Sequence, residues 1–378
     1  MAAAADKAVE LTMLRSMVQA IRLLTAVLAL ASLVTGLGAG LARLGLFDLA
    51  LSVSDRHSVF MLCGFFGTLI ALERAVAQGS ASALAVPAVS GFGAVLIWFE
   101  PQSAALAFLA AGAGLAVLSA QAALALRTLF SAVLLVAAVL WPIGTGVWLL
   151  TGDPALAAYI WLGFLILTIT AERIELSRLR RRGPLQAGLL VLLVAVFFCL
   201  GLLTGEPFAG TPWLTGTALA GLALWLTVND VALITIRGEG LARYSAAALL
   251  CGYGWLLVAA AALLMLPPGT SAAGHDIALH AIGLGFVLSM VFAHAPIILP
   301  AVAGLRIRYS AALYLPLALL QGATALRVAG NLLEQDSLRN ASGWLTMGAL
   351  GLYAATLILS SRHRPRKACA AHNNRHPV

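Results

Sequence analysis

The side chains best suited to chemistry are four histidines that precede the C-terminal tail. His57, His275, His280 and His294 all lie in or beside long uncharged segments. A neutral imidazole nitrogen is a common ligand for metal ions, and the ring also exchanges protons near neutral pH. A histidine in such a segment can equally form a hydrogen bond that joins two helices. The depth of each residue along its helix therefore decides between these roles.

Three acidic residues form a second group of candidates. Glu73, Glu172 and Asp230 lie within or near the ends of apolar segments, where ionisable side chains are rare and mark functional sites by default. Glu73 and Glu172 are each followed directly by an arginine, so an ion pair with that neighbour is the simpler interpretation. We expect His294 to interact with these acids or with the Asn229-Asp230 pair.

Composition indicates the elements that must position these groups. Hydrophobic residues make up 61% of the 378 residues and charged residues only 10%, whereas roughly a quarter of a soluble domain is charged. Because a helix needs about 20 apolar residues to cross the hydrocarbon layer, the chain predicts an all-α, polytopic transmembrane helix bundle of about 12 spans in the lipid bilayer. The predicted spans are 20–40, 57–77, 81–99, 104–124, 131–151, 155–176, 185–204, 213–235, 245–266, 276–299, 310–330 and 341–361. They form one domain, 20–361, between a cytoplasmic N-terminal segment, 1–19, and a basic cytoplasmic tail, 362–378.

Lysine and arginine are distributed very unequally between the two ends of the predicted spans. Nineteen of the 23 basic residues lie on the side of the termini, and the other four are Arg43, Arg56, Arg327 and Arg339. Loops rich in Lys and Arg stay in the cytoplasm. We therefore expect both termini in the cytoplasm, an even number of spans, and a place in the cell inner membrane. The net charge of +8 follows from this topology and does not indicate a nucleic-acid partner.

A short motif recurs with a period of four spans. In each of spans 2, 6 and 10 a Gly-Phe pair is followed nine residues later by a polar residue: Gly64-Phe65 and Glu73, Gly163-Phe164 and Glu172, Gly285-Phe286 and His294. This pattern indicates three units of four helices. The alternative is two six-helix halves, as in many secondary transporters, with the basic loop 178–182 between them. The first organisation places every histidine outside the tail on the equivalent spans 2 and 10.

His57 and His280 lie five to seven residues before the Gly-Phe pair of their spans, and so at similar depth on the predicted outer side. Two imidazoles that face each other from separate helices are the arrangement that axial ligation of a haem iron requires. Arg56 and Arg327 lie on the same side and are candidates to neutralise haem propionates. His294 is fourteen residues beyond His280, a rise of roughly 21 Å, so it cannot share the same metal.

This combination of features resembles the catalytic subunit of the haem-copper oxidases. In that family twelve helices form three arcs of four, and helices 2 and 10 supply the axial histidines of a low-spin haem. The segment from His280-Ala281 to Gly285 is also similar to the His-Ala motif of the NnrS membrane proteins, which are associated with haem and copper and linked to nitric oxide stress. The resemblance implies a haem b held by His57 and His280, an electron-transfer partner, and a role in nitric-oxide or redox stress.

Departures from the oxidase pattern limit that resemblance. Oxidases bind copper with histidines on helices 6 and 7, and neither predicted span carries one here. The sequence therefore argues against a copper centre and against oxygen reduction, and it leaves open whether the chain is an enzyme. The main alternative is a secondary transporter in which Glu73, Glu172, Asp230 and His294 couple the movement of a small solute to an ion. A scaffold protein without a small ligand is a third interpretation.

Overall fold

The computed structural model describes residues 2–177, 183–203, 212–267, 270–303 and 305–363. Within these ranges the chain forms long helices joined by short connections. In chain order they are α1 (Ala2–Arg43), α2 (Val59–Gln78), α3 (Ser82–Leu96), α4 (Pro101–Leu126), α5 (Leu129–Thr151), α6 (Pro154–Leu176), α7 (Pro184–Leu203), α8 (Pro212–Asn229), α9 (Gly240–Met265), α10 (272–303), α11 (Ala311–Leu332) and α12 (Asp336–Ser360). Two four-residue helices, Leu51–Ser54 and Ala232–Thr235, precede α2 and follow α8.

Nine of these helices are long and apolar enough to cross a bilayer within the described ranges, namely all except α3, α7 and α8. The polytopic helical bundle predicted from composition is therefore confirmed, and the chain is a multi-pass membrane protein. The count of twelve spans stays a prediction. The 15 residues of α3, three in a 3₁₀ turn and twelve in an α-helix, reach only about 22 Å.

The connection between α5 and α6 shows how glycine and proline separate two helices. Gly152 ends α5 with φ +73°, a left-handed conformation that costs glycine little. Asp153 caps α6 because its carboxylate accepts a hydrogen bond from the backbone N–H two residues on, at 2.8 Å. Pro154 occupies the first helical position, where its missing N–H has no partner to lose. The basic loop 178–182 lies outside the described residues.

The two ends of the transmembrane domain differ from the predicted boundaries. The predicted border between residues 19 and 20 falls inside the continuous helix α1, whose apolar span begins at Ser16. After α12 the chain forms strand β2 (Ser361–His363), which pairs antiparallel with strand β1 (Leu305–Ile307) after α10. This pairing ties the end of α12 to the end of α10. The rest of the predicted tail, 364–378, lies outside the described residues.

The helices that carry the recurring motif pack in the interior of the bundle. In the apolar stretch of each helix, 78% of the residues of α6 and 72% of those of α2 are buried inside the protein, against 22% of those of α1. α6 contacts both α2 and α10, and α1 contacts α12, so the first and last helices meet. The outward residues of α1, such as Leu24 and Val34, are about 60% exposed. Such an apolar surface suits contact with lipid.

α2 and α10 each contain a π-helical segment that begins one or two residues after their candidate histidine. The segments are Val59–Gly67 and Ala281–Val287, and each includes the Gly-Phe pair of its helix. π-Helical segments are rare and frequently occur at functional sites. α6 also carries a Gly-Phe pair but is α-helical throughout. In backbone conformation, α2 and α10 therefore resemble each other more closely than either resembles α6.

Candidate functional site

A cavity of about 210 Å³ lies at the end of the bundle that carries His57 and His280. Both histidines line it, and its walls come from α1, α2, α6, α10, α11 and α12 together with the residues next to them. We call this space the histidine cavity. Most of its surface is aliphatic, and its charged or ionisable lining residues are Arg43, His57, His275, Asp276, His280 and Arg327.

His57 lies two residues before α2 and packs its ring against α1. Its Nδ1 is 2.6 Å from the carbonyl oxygen of Gly36. A carbonyl can only accept, so Nδ1 carries the hydrogen and Nε2 has its lone pair available. A Cβ atom on Gly40 would lie 3.0 Å from Cε1 of the ring, so glycine is what permits this close approach.

His280 is held in the same tautomer by its own helix. Its Nδ1 lies 2.9 Å from the backbone carbonyl of Asp276 and 3.2 Å from the Oδ1 atom of the same residue. Nδ1 therefore donates, and Nε2 again has its lone pair available. In the described structure neither His57 nor His280 has a hydrogen-bond partner at Nε2. Histidines that bind metals usually donate their other ring N–H to a carbonyl or carboxylate in this way.

Asp276 is a site residue that sequence reasoning missed. Its carboxylate accepts two hydrogen bonds from Arg327, Nε to Oδ2 and Nη2 to Oδ1, both at 2.7 Å. Asn331 donates a third to Oδ2 at 2.5 Å. One signal was present in the sequence, because residues four apart on a helix lie on the same face and Asp276 precedes His280 by four. The partners on α11 had no such signal.

The two outer arginines of the sequence prediction lie in different surroundings. Arg327 lines the histidine cavity, but its guanidinium forms the bidentate pair with Asp276. Arg56 is not among the residues that line the cavity, and it donates from Nη1 to the carbonyl of Ile97 at 2.5 Å. Arg43 at the end of α1 is exposed and does line the cavity. Arg43 is therefore better placed than Arg56 to meet an anionic group.

His275 also lines the histidine cavity but has a different partner. Its Nδ1 lies 2.9 Å from the hydroxyl of Tyr159 on α6, and the two rings meet edge to face. Tyr159 is buried. This contact joins α10 to α6 at the same end of the bundle as the two candidate ligands.

At the opposite end of α2, Arg74 bridges two carboxylates. Its Nη2 atom lies 2.6 Å from Oε1 of Glu73 and 3.3 Å from Oε1 of Glu172 on α6. Glu73 thus pairs with its sequence neighbour, as the simpler interpretation had it, whereas Glu172 pairs across to α2. We call these three residues the acid-end cluster.

A second buried network lies beside the acid-end cluster. Arg173 is 6% exposed, donates to Nε2 of His294, and places Nη1 3.9 Å from the Asp230 carboxylate. Asp230 also accepts from the Tyr253 hydroxyl at 2.5 Å. His294 therefore reaches the acid of the Asn229-Asp230 pair through an arginine. Because Arg173 occupies its Nε2, His294 differs from the two histidines of the cavity.

The available ligands restrict what the histidine cavity can hold. Within the described residues, no three His, Cys, Asp or Glu side chains are placed to hold a metal ion together. Two imidazole nitrogens are fewer than the three or four protein ligands of a typical zinc site. Two is the number of ligands that a haem iron can take from a protein, because the porphyrin supplies the other four.

Comparisons with known proteins give a family and no nearer relative. No curated protein and no solved structure matches the chain. The model of one family, DUF8744, matches residues 22–362, a range that includes both cavity histidines and the acid-end cluster. This match covers well over half of the chain, so the chain belongs to the DUF8744 family, which is described as a domain of unknown function.

Proposed function

We propose that this chain is a haem-binding protein of the inner membrane in which His57 and His280 are the two axial ligands of a haem b. The observation that carries the proposal is the pair of imidazoles on separate helices, each with Nδ1 engaged and Nε2 free in the described structure, lining one cavity. That is the state in which a histidine can coordinate a metal. The same proposal places both termini in the cytoplasm, on the side rich in Lys and Arg.

The residues around the two histidines suit a flat, largely apolar cofactor with carboxylates at one edge. Leu37, Leu41, Leu162 and Phe66 provide apolar walls. Arg43 supplies a positive charge at the exposed end of α1. A bound haem would supply one-electron redox chemistry, which fits the role in nitric-oxide or redox stress implied by the resemblance to NnrS proteins. An electron-transfer partner is part of this proposal, and a copper ion is not.

The size of the cavity adds a requirement. Its volume of about 210 Å³ is below the roughly 300–1,000 Å³ of typical ligand pockets. Side chains must therefore rotate outward for a haem to enter. Met61 and Met347 line the cavity, and methionine is flexible enough to repack at small cost.

The test is the absorption spectrum of the protein purified in mild detergent from haem-replete cells, oxidised and then reduced with dithionite. We expect a Soret band and sharp reduced α and β bands in the wild type, because two imidazoles give a six-coordinate iron. His57→Ala should lose the six-coordinate spectrum. His275→Ala is the matched control, because His275 lines the same cavity while its Nδ1 faces Tyr159. A colourless wild-type protein would overturn the proposal.

A secondary transporter is the second candidate, and the acid-end cluster favours it. Two carboxylates share the single Arg74 beside the buried Arg173–Asp230 pair, and buried ionisable groups in membrane spans often mark ion pathways. Under this function Glu172→Gln would abolish ion-coupled solute uptake into proteoliposomes, and His57→Ala would leave uptake unchanged. Under the haem function, His57→Ala would lose the six-coordinate spectrum and Glu172→Gln would keep it.

A further inference from the structure

The two cavity histidines are held by different kinds of group. We propose that Asp276 is a positioning residue that makes His280 the permanently bound haem ligand, and that His57 is the ligand that dissociates. This inference rests on the proposed haem function. It divides the two histidines into one that would stay bound to the haem and one that would exchange.

Hydrogen bonds to Nδ1 are the first difference. In the described structure, Nδ1 of His57 donates to the neutral carbonyl of Gly36. Nδ1 of His280 donates to the Asp276 carbonyl at 2.9 Å and also has a carboxylate oxygen of that residue 3.2 Å away. A negative carboxylate at this distance attracts the N–H in addition to the neutral carbonyl. A carboxylate at Nδ1 also makes the other ring nitrogen a more basic ligand. The His280 imidazole is therefore the stronger donor to a metal.

Support for Asp276 extends to a second helix. Arg327 and Asn331, both on α11, donate three hydrogen bonds to its two oxygens. A bidentate guanidinium fixes the plane of a carboxylate as well as its position. The His280 ring is thus oriented through α11 as well as through its own helix. By contrast, the group that orients the His57 ring in the described structure is a backbone carbonyl of α1, that of Gly36.

The second difference lies in the helices that carry the ligands. His280 is the ninth residue of α10 and is followed by a long continuation of the same helix. His57 lies two residues before α2, directly after a turn at 55–56. The ends of helices open more readily than their interiors because fewer backbone hydrogen bonds hold them. His57 can therefore move away from the cavity without disrupting a helix interior.

The experiment compares His57→Gly with His280→Gly in the purified full-length protein. We expect His57→Gly to keep its haem as a five-coordinate species, and free imidazole added to that variant should restore the six-coordinate spectrum. His280→Gly should lose most of its haem during purification. The haem content of each variant is measured as the pyridine haemochrome per mole of protein.

Asp276 is tested separately through the haem midpoint potential. Asp276→Asn removes the carboxylate next to Nδ1, so ferric haem loses stabilisation and the potential should rise. Asp153→Asn is the control, because Asp153 is an exposed helix-capping acid whose cap an asparagine preserves. The double variant Asp276→Asn, Arg327→Gln avoids leaving the partly buried Arg327 guanidinium without its carboxylate. It keeps the test valid if the single variant does not fold, and its midpoint potential should also lie above that of the wild type.

The outcomes separate this inference from the function on which it rests. A colourless wild type overturns both. A coloured wild type in which the two glycine variants lose haem equally overturns the inference alone. The same holds if Asp276→Asn and the double variant match Asp153→Asn in midpoint potential and haem retention.

Discussion

At the scale of single residues, Gly40 shows how closely α1 approaches the histidine cavity. A Cβ atom there would lie 3.0 Å from Cε1, 3.1 Å from Nδ1 and 3.7 Å from Nε2 of His57. The first two distances are shorter than ordinary van der Waals contact. The ring would have to shift by a few tenths of an ångström, and its hydrogen bond to Gly36 would shift with it.

We predict that Gly40→Ala lowers haem occupancy or broadens the six-coordinate spectrum, and that Gly38→Ala does neither. Gly38 lies on the same helix, and a methyl group added there would have no neighbouring atom within 4 Å. Both substitutions gain about 0.5–1 kcal/mol of helix stability, so the difference between them isolates the contact with His57. The reduced difference spectra of the two variants, at equal protein concentration, provide the measurement. Identical spectra would show that the close approach has no role in binding.

Two histidines on the same helix show how neighbours decide the chemistry of a side chain. His280 and His294 both lie on α10. His280 donates from Nδ1 to Asp276 and keeps Nε2 free in the described structure, whereas the Nε2 of His294 accepts from Arg173. Residue type and helix are the same in both cases. The available lone pair is what makes His280 a ligand candidate, and arginine uses that lone pair at His294.

At the scale of helices, Arg173 links the central helix α6 to its neighbours. It contacts His294 on α10 and lies within ion-pair distance of Asp230, which follows α8. Asp230 in turn binds Tyr253 on α9. A cation at the end of a helix also interacts favourably with the helix dipole. Four helices therefore depend on one buried guanidinium.

We predict that Arg173→Gln destabilises the bundle by about 3–5 kcal/mol, because it removes a buried guanidinium that donates to His294 and lies within ion-pair distance of Asp230. The expected result is a clear fall in the midpoint of thermal unfolding in detergent, followed by circular dichroism. Arg237→Gln is the control, because Arg237 is exposed in the connection after α8. Equal midpoints for the two variants would contradict a structural role for Arg173.

At the scale of the whole molecule, the charge distribution predicts the orientation of the bundle in the membrane. Loops rich in Lys and Arg face the cytoplasm. Under that rule Ser337, at the start of α12, faces outward, and Glu239, just before α9, faces the cytoplasm. Both positions are exposed in the structure.

We predict that a membrane-impermeant maleimide added to intact cells labels Ser337→Cys and does not label Glu239→Cys. The four native cysteines are first replaced by serine. Permeabilised cells provide the control, since both positions should then be labelled. The opposite labelling pattern would invert the proposed topology and place the histidine cavity at the cytoplasmic side.

The sequence by itself determined the class of the molecule and the approximate course of its helices. In lipid every backbone polar group must be satisfied internally, so long apolar segments have to be helices. Helical spacing also separated His294 from His280 along one helix. These conclusions depend only on positions along a single helix, where the rise and rotation for each residue are constant.

Only the tertiary structure decided which side chains meet. Arg327 pairs with Asp276, and Arg56 does not line the histidine cavity. Arg74 reaches Glu172, and Arg173 reaches His294. The π-helical segments of α2 and α10 were equally absent from the sequence pattern. The physical reason is that contacts between helices depend on which helices are neighbours and how each is rotated. Apolar segments that face lipid on one side and protein on the other contain little information about which helices are neighbours or how each helix is rotated.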